Sequence, residues 1–170
     1  LIVGLAPAAH GANRTGRMVP GDESGRWRSR ALPKAGFASA AASLSRDDDL
    51  RLLDARITAV VHCAPPDNRP TPQERDACLP HLVDELRSMK HLRAVLALGG
   101  FAWSGFLQAA NIPSPRPKFA HGASVALGRW TLLGSYHPSQ QNTFTRRLTE
   151  PMFDGIFTKI QSLLNEDRAS

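Results

Sequence analysis

Cysteine is scarce: the 170 residues hold two, Cys63 and Cys78. Two thiols do not frame a disulfide-stapled fold, and at this length, with 42% apolar residues, a core of ordinary size forms without staples. Long hydrophobic runs are missing as well. No stretch of about eighteen apolar residues occurs, so no segment reads as a membrane span. Residues 1–9 are too short, and lack the basic flank, to be a signal peptide. Acid is in deficit, with 15 Asp and Glu against 21 Lys and Arg, a net charge of +6. No compact carboxylate cluster stands ready to hold a divalent ion on a free nucleotide, which argues against that class of enzyme. The basic excess instead favours a polyanionic partner. These bounds describe one soluble, cytoplasmic domain.

What is present is an alternation of strand and helix patterns. Residues 1–5 (Leu-Ile-Val-Gly-Leu) are apolar throughout, as a strand covered on both faces must be. The run opens with no cap or turn before it, which leads us to expect a further N-terminal segment in the natural protein. A glycine-rich loop with two arginines follows to Asp22. Ser24 can cap a helix carrying Trp27, Ala31 and Leu32 that stops at Gly36. Residues 57–63 form a second strand, halted by Ala64-Pro65-Pro66. Thr71-Pro72-Gln73-Glu74 has the capping-box pattern, and Pro80 is expected to interrupt the helix it starts, with Leu82 and Leu86 on the next one. The third strand is 94–98, a helix over 101–110 follows Gly99-Gly100, and the fourth strand is 130–136. Pro151 opens a last helix with Phe153, Ile156, Phe157 and Ile160 on one face. This pattern predicts an α/β fold, a three-layer α/β/α sandwich around a four-stranded parallel sheet, in a single domain.

The stretch Gly134-Ser135-Tyr136-His137-Pro138-Ser139-Gln140-Gln141-Asn142 is the functional candidate. It places His137 just past a strand end, where open α/β sheets hold their ligands, amid hydrogen-bonding side chains that no apolar core accepts. The bland alternative is a polar loop whose histidine faces water. Cys63 and Cys78 can likewise be read as small buried hydrophobes, although both stand near element ends. An iron–sulfur cluster ordinarily needs four thiolates.

The first loop (Gly4-Leu5-Ala6-Pro7-Ala8-Ala9-His10-Gly11-Ala12-Asn13-Arg14-Thr15-Gly16-Arg17), Cys63-Ala64-Pro65-Pro66, Cys78 and the Gly134-to-Asn142 stretch together resemble the family 5, or type B, uracil-DNA glycosylases. The resemblance runs over essentially the whole chain. It implies excision of uracil, and of other deaminated bases, from DNA by a monomer that extrudes the nucleotide from the duplex. It also implies a four-iron, four-sulfur cluster with Cys63 and Cys78 as two ligands and two more upstream of Leu1. By the family's pattern, His137 donates a hydrogen bond to the base oxygen on which negative charge grows. Arg14, Arg17, Arg146 and Arg147 are candidates for phosphate contact. Ser139, Gln140, Gln141 and Asn142 are candidates for phosphate contact or for wedging the vacated stack.

Departures from the superfamily's pattern matter too. Ala6 stands where most members carry an acid or amide that holds the attacking water, so Asn13 first and Asp22 second are candidates for that task. Ala6, Pro7 and Val19 fall on the base side, where Val19 cannot stack as an aromatic ring does. Ala59 replaces a uracil-reading asparagine of family 4, which implies loose selectivity. The competing reading is a noncatalytic or degenerate DNA-binding relative that keeps the basic loops without an effective pocket.

Overall fold

The structure is a computed structural model that describes residues 1–7, 23–39 and 51–169. The chain divides into two compact units, Leu1–Pro7 with Ile57–Tyr136, and Ala8–Arg56 with His137–Ser170.

The first unit is built on a sheet of five strands in the order β2-β1-β3-β5-β4: β1 (Ile2–Gly4), β2 (Ile57–Ala59), β3 (Ala94–Leu98), β4 (Ser124–Leu127) and β5 (Trp130–Ser135). The four expected strands are all there and all parallel, with Ile2 opposite Ile57 and Leu96, and Leu96 opposite Leu133. The expectation of four strands in total is corrected by β4, which pairs antiparallel with β5 through Ser124–Leu133 and Leu127–Trp130. Its four residues, alternately exposed and half-buried between Gly122 and Gly128, carry too short an alternation to stand out in a sequence.

β2 is also shorter than the run 57–63 implied. Val60 and Val61 still donate to the carbonyls of Gly4 and Leu5 at 3.1 and 3.0 Å. His62 and Cys63 then turn out to solvent, because the Pro65-Pro66 pair that follows has no N–H to continue a ladder.

Every residue of β3 is buried, as an apolar run with no polar face must be. Val95 and Ala97 meet one cluster with Val3, Leu132, Trp103 and Phe106. Two helices, with Val60 and Leu92, supply the rest of it. In α2 (Pro72–Ser88) Thr71 and Glu74 exchange side-chain and backbone hydrogen bonds at 2.7 and 3.2 Å, the reciprocal cap read from the sequence. Pro80 does not interrupt this helix, which runs unbroken for 17 residues. An interior proline costs about 3 kcal/mol, and burying Leu82 and Leu86 beyond it returns roughly 1.5–3 kcal/mol each. The Pro80 ring itself lies exposed. α3 (Gly100–Ala109) packs directly on β3 and β1, and α2 packs on α3.

The second unit pairs α1 (Glu23–Lys34) with the 20-residue α5 (Glu150–Ala169), preceded by the short α4 (Gln140–Phe144). Trp27 meets Phe153 edge-on at 5.8 Å, and Phe153, Ile156, Phe157 and Ile160 are buried along the face predicted for them. α1 stops at the glycine expected to end it. Gly36 sits at φ +71, with Phe37 N–H bonded to Leu32 O at 2.8 Å and Gly36 N–H to Pro33 O at 3.0 Å, a closure that satisfies the last carbonyls.

Across the pair, Asp154 accepts from Arg30 at 2.7 Å and Lys34 at 2.6 Å. Burial alone would raise the Asp154 carboxyl, but these hydrogen bonds and the two cationic charges hold it below its ordinary value. A carboxyl lowered in the folded state adds stability above its unfolded pKa, near 3.9, and that contribution is lost as pH falls through the folded value. Asp154→Asn should therefore cost about 1 kcal/mol at neutral pH. The deficit, read by urea unfolding, should close as pH drops below about 4. A deficit that persists unchanged into acid would assign it to packing instead.

Candidate functional site

Because β1, β2, β3 and β5 are parallel, the segments after Gly4, Ala59, Leu98 and Ser135 all leave the same edge of the sheet. The chain passes from β1 outward to β2 and then returns to β3 on the other side of β1, so the direction of winding reverses between β1 and β3. Ligands of open α/β sheets settle outside the carboxyl ends at such a reversal. At that point stand Ala6, half-buried, and Pro7, buried, after β1, and Gly99 after β3. Gly99 takes φ +95, a conformation open to glycine, while its N–H is bonded to Ser135 O at 2.8 Å, tying the β3 turn to the end of β5. Ala59, at the end of β2, is buried and brings no polar side chain to this edge.

His137, the residue after Tyr136, opens the second stretch of chain in the second unit. Its main chain is clamped: the His137 carbonyl accepts from Ser139 N–H at 2.8 Å and from the Asn142 side-chain amide at 2.9 Å. Pro138 between them is buried, and Ser139 caps α4 by accepting from Asn142 N–H at 3.4 Å. Ser139 and Asn142, expected at phosphate or stack, thus spend polar atoms on shaping this turn. Gln140 and Gln141 are exposed on the first turn of α4.

α4 ends in a feature that the sequence pattern does not mark. Phe144 is 73% exposed, an aromatic ring held out of its own unit, and Arg146 and Arg147 follow it on the surface. Arg146 sits at φ +57, a left-handed position that strains a residue with a Cβ by roughly 1–2 kcal/mol. An exposed ring with two cations within three residues is a chemistry suited to a base face flanked by phosphates. Nothing in hydrophobic periodicity separates such a phenylalanine from a core one; its burial decides.

The remaining site candidates fall apart into two groups. Asn13, Arg14, Arg17, Val19 and Asp22 lie outside the described residues. Cys63 and Cys78 are free thiols, the first exposed and the second half-buried. The rings of His62 and His81 stack 5.0 Å apart at 18°, which sets the segment carrying Cys63 beside the turn of α2 just after Cys78. Among the described residues no group of three or more His, Cys, Asp and Glu side chains is placed to hold a metal ion. Among them, too, no helix is long and apolar enough to cross a membrane.

A model of the uracil DNA glycosylase superfamily matches residues 1–161. A Mycobacterium tuberculosis protein named Type-5 uracil-DNA glycosylase is 53% identical over 166 residues, which cover 96% of this chain and 62% of that protein. Proteins of the same name from Mycobacterium leprae and Thermus thermophilus are 50% and 46% identical, with 96% of this chain covered in both cases and 72% and 74% of theirs. The chain thus spans less than two thirds of the mycobacterial protein it matches at 53%.

Proposed function

The chain belongs to the type-5 branch of the uracil DNA glycosylase superfamily, and we propose that it hydrolyses the N-glycosidic bond of uracil, and of other deaminated bases, in DNA. The observation that carries the reading is the clamped His137 turn that follows β5, a strand parallel to β3. In the reaction the bond between C1′ and the base nitrogen breaks, its electron pair leaves with the base, and a water oxygen bonds to C1′. The water's proton passes to solvent or to the departing base. Charge grows on the base oxygen, and an imidazole N–H held ready at that oxygen stabilises it without reorganising. Asn13, and after it Asp22, remain our assignments for orienting the water. Ala6, Pro7 and Val19 would border the base, and Arg14, Arg17 and Arg146 the phosphates.

Phe144 supports a DNA substrate by a route independent of His137. We read it as the ring that stacks on a base at the gap, with the protein acting as a monomer. Phe144→Ala should weaken binding to uracil-containing DNA by about 1–2 kcal/mol, roughly 5- to 30-fold. Its melting temperature should not move, since the ring is exposed in the free protein. Unaltered affinity in a filter-binding or anisotropy titration would remove Phe144 from the interface.

The proposal includes a four-iron, four-sulfur cluster held in part by Cys63 and Cys78. Their free thiols, brought to one locality by the His62–His81 contact, fit two of its four ligands. Two thiolates from outside these 170 residues would complete the set. Bound there, the cluster would supply a cross-link between the end of the β2 segment and α2.

The deciding experiment is single-turnover release of base from a uracil-containing oligonucleotide, read as alkali-labile abasic strand. Strand cleavage at the uracil supports the enzyme. DNA bound without base release would identify a noncatalytic relative.

A further inference from the structure

The bonding along β5 continues past its paired residues. Gly122 N–H donates to Gly134 O at 2.8 Å and Gly134 N–H donates to Ala123 O at 2.9 Å, so the segment before β4 is sewn to the end of the strand. At Tyr136 a side chain takes over. The Tyr136 backbone N–H donates to Nδ1 of His121 at 3.2 Å, and the two rings stack 5.0 Å apart at 26°. Phe119 meets the Tyr136 ring edge-on at 6.2 Å and Trp103 at 5.9 Å, so this pair ends a chain of rings rooted in the core.

A ring nitrogen that accepts must keep its lone pair. In a neutral imidazole the proton then sits on Nε2, and a doubly protonated ring would set N–H against N–H. Tyr136 is bonded directly to His137. Its N–H and its ring are both held, and the carbonyl of the next residue, His137, closes a turn with Ser139 and Asn142.

We infer that His121 is a positioning residue for His137: as the neutral Nε2–H tautomer it holds the Tyr136 peptide, and through it the entry to the turn that presents the His137 imidazole. This role rests on the glycosylase reading above. It differs from packing in needing an acceptor atom, and three substitutions in the whole protein separate the two. His121→Ala removes ring and acceptor, His121→Phe keeps a stacking ring without the acceptor, and His121→Asn offers an amide oxygen close to where Nδ1 lies.

Single-turnover uracil release should slow about 10- to 100-fold in the Ala and Phe variants, the scale of a small misplacement. Affinity for DNA should stay within about twofold, since the loss falls on the chemical step. The Asn variant should recover most of the rate. Hydrogen exchange at the Tyr136 amide should quicken in Ala and Phe and stay slow in Asn. A Phe variant at the wild-type rate, or an Asn variant as slow as Ala, overturns the role. A wild type with a protected Tyr136 amide that releases no uracil overturns the glycosylase reading itself, and this role with it; a protected amide in an active wild type with a slow Phe variant upholds both.

Discussion

Replacing His137 by alanine should slow uracil release by about 10²- to 10³-fold, the usual loss for one preorganised donor at a developing oxyanion. Binding to the same DNA should change by no more than about threefold. The separation is sharp because of how the turn is held. Both hydrogen bonds that clamp it, from Ser139 N–H and from the Asn142 amide, end on the His137 carbonyl, which alanine retains. The substitution therefore deletes the imidazole and keeps both of those hydrogen bonds. Asn142→Ala does the reverse, freeing the turn while keeping the ring; because Asn142 is itself a candidate for phosphate contact or for wedging the stack, it should harm affinity and rate together. Single-turnover rates beside equilibrium titrations read the two. Equal losses of rate and affinity in His137→Ala would make the residue a binding contact and remove it from the chemistry.

Gly134→Ala should be the most damaging single-methyl change in the sheet. The added Cβ would lie 2.5 Å from the carbonyl oxygen of Ala120 and 3.2 Å from the Trp103 ring. Neither gives way easily, since the N–H and carbonyl of Gly134 are both bonded to the same 120–123 segment and Trp103 is locked by its own N–H to Pro117 O at 2.8 Å. Overpacking typically costs 1–3 kcal/mol, and a clash with main chain belongs at the top of that range. At this chain length a loss of about 3 kcal/mol lowers the melting temperature by roughly 6–12 °C. Two further glycines calibrate the result. At Gly105 the Cβ would meet both Val60 methyls, at 2.5 and 2.7 Å, and the Val60 Cβ at 3.2 Å; Val60 is buried and β-branched, so a loss of similar size is expected. At Gly155, in α5, nothing lies within 4 Å, and alanine should stabilise by about 0.5–1 kcal/mol. A melting temperature for Gly134→Ala near that of Gly155→Ala would mean the 120–123 segment is not held against β5.

What the sequence disclosed follows from how local its signals are. β3 is legible to the residue because Ala94–Leu98 is uniformly apolar between Arg93 and Gly99. The start of α2 is legible because its cap is a four-residue exchange, and the end of α1 because a left-handed stop favours glycine. Long-range balances were not. Pro80 stays inside α2 because leucines beyond it are buried against other elements, and β4 exists because β5 offers it a partner. In the site, His137 stands out by its place after a strand and His121 by its place beside a glycine in an irregular stretch, whereas Phe144 is distinguished only by exposure.

The sheet also has consequences for how copies of the protein behave when crowded together. It tapers to three residues at β2 and four at β4. Such stubs give a second molecule too few rungs to add to, and a ribbon that is not extended does not nucleate fibres. A chain gathered at high local density on a polyanion should then stay dispersed, and light scattering should show no growth in particle size as its concentration rises.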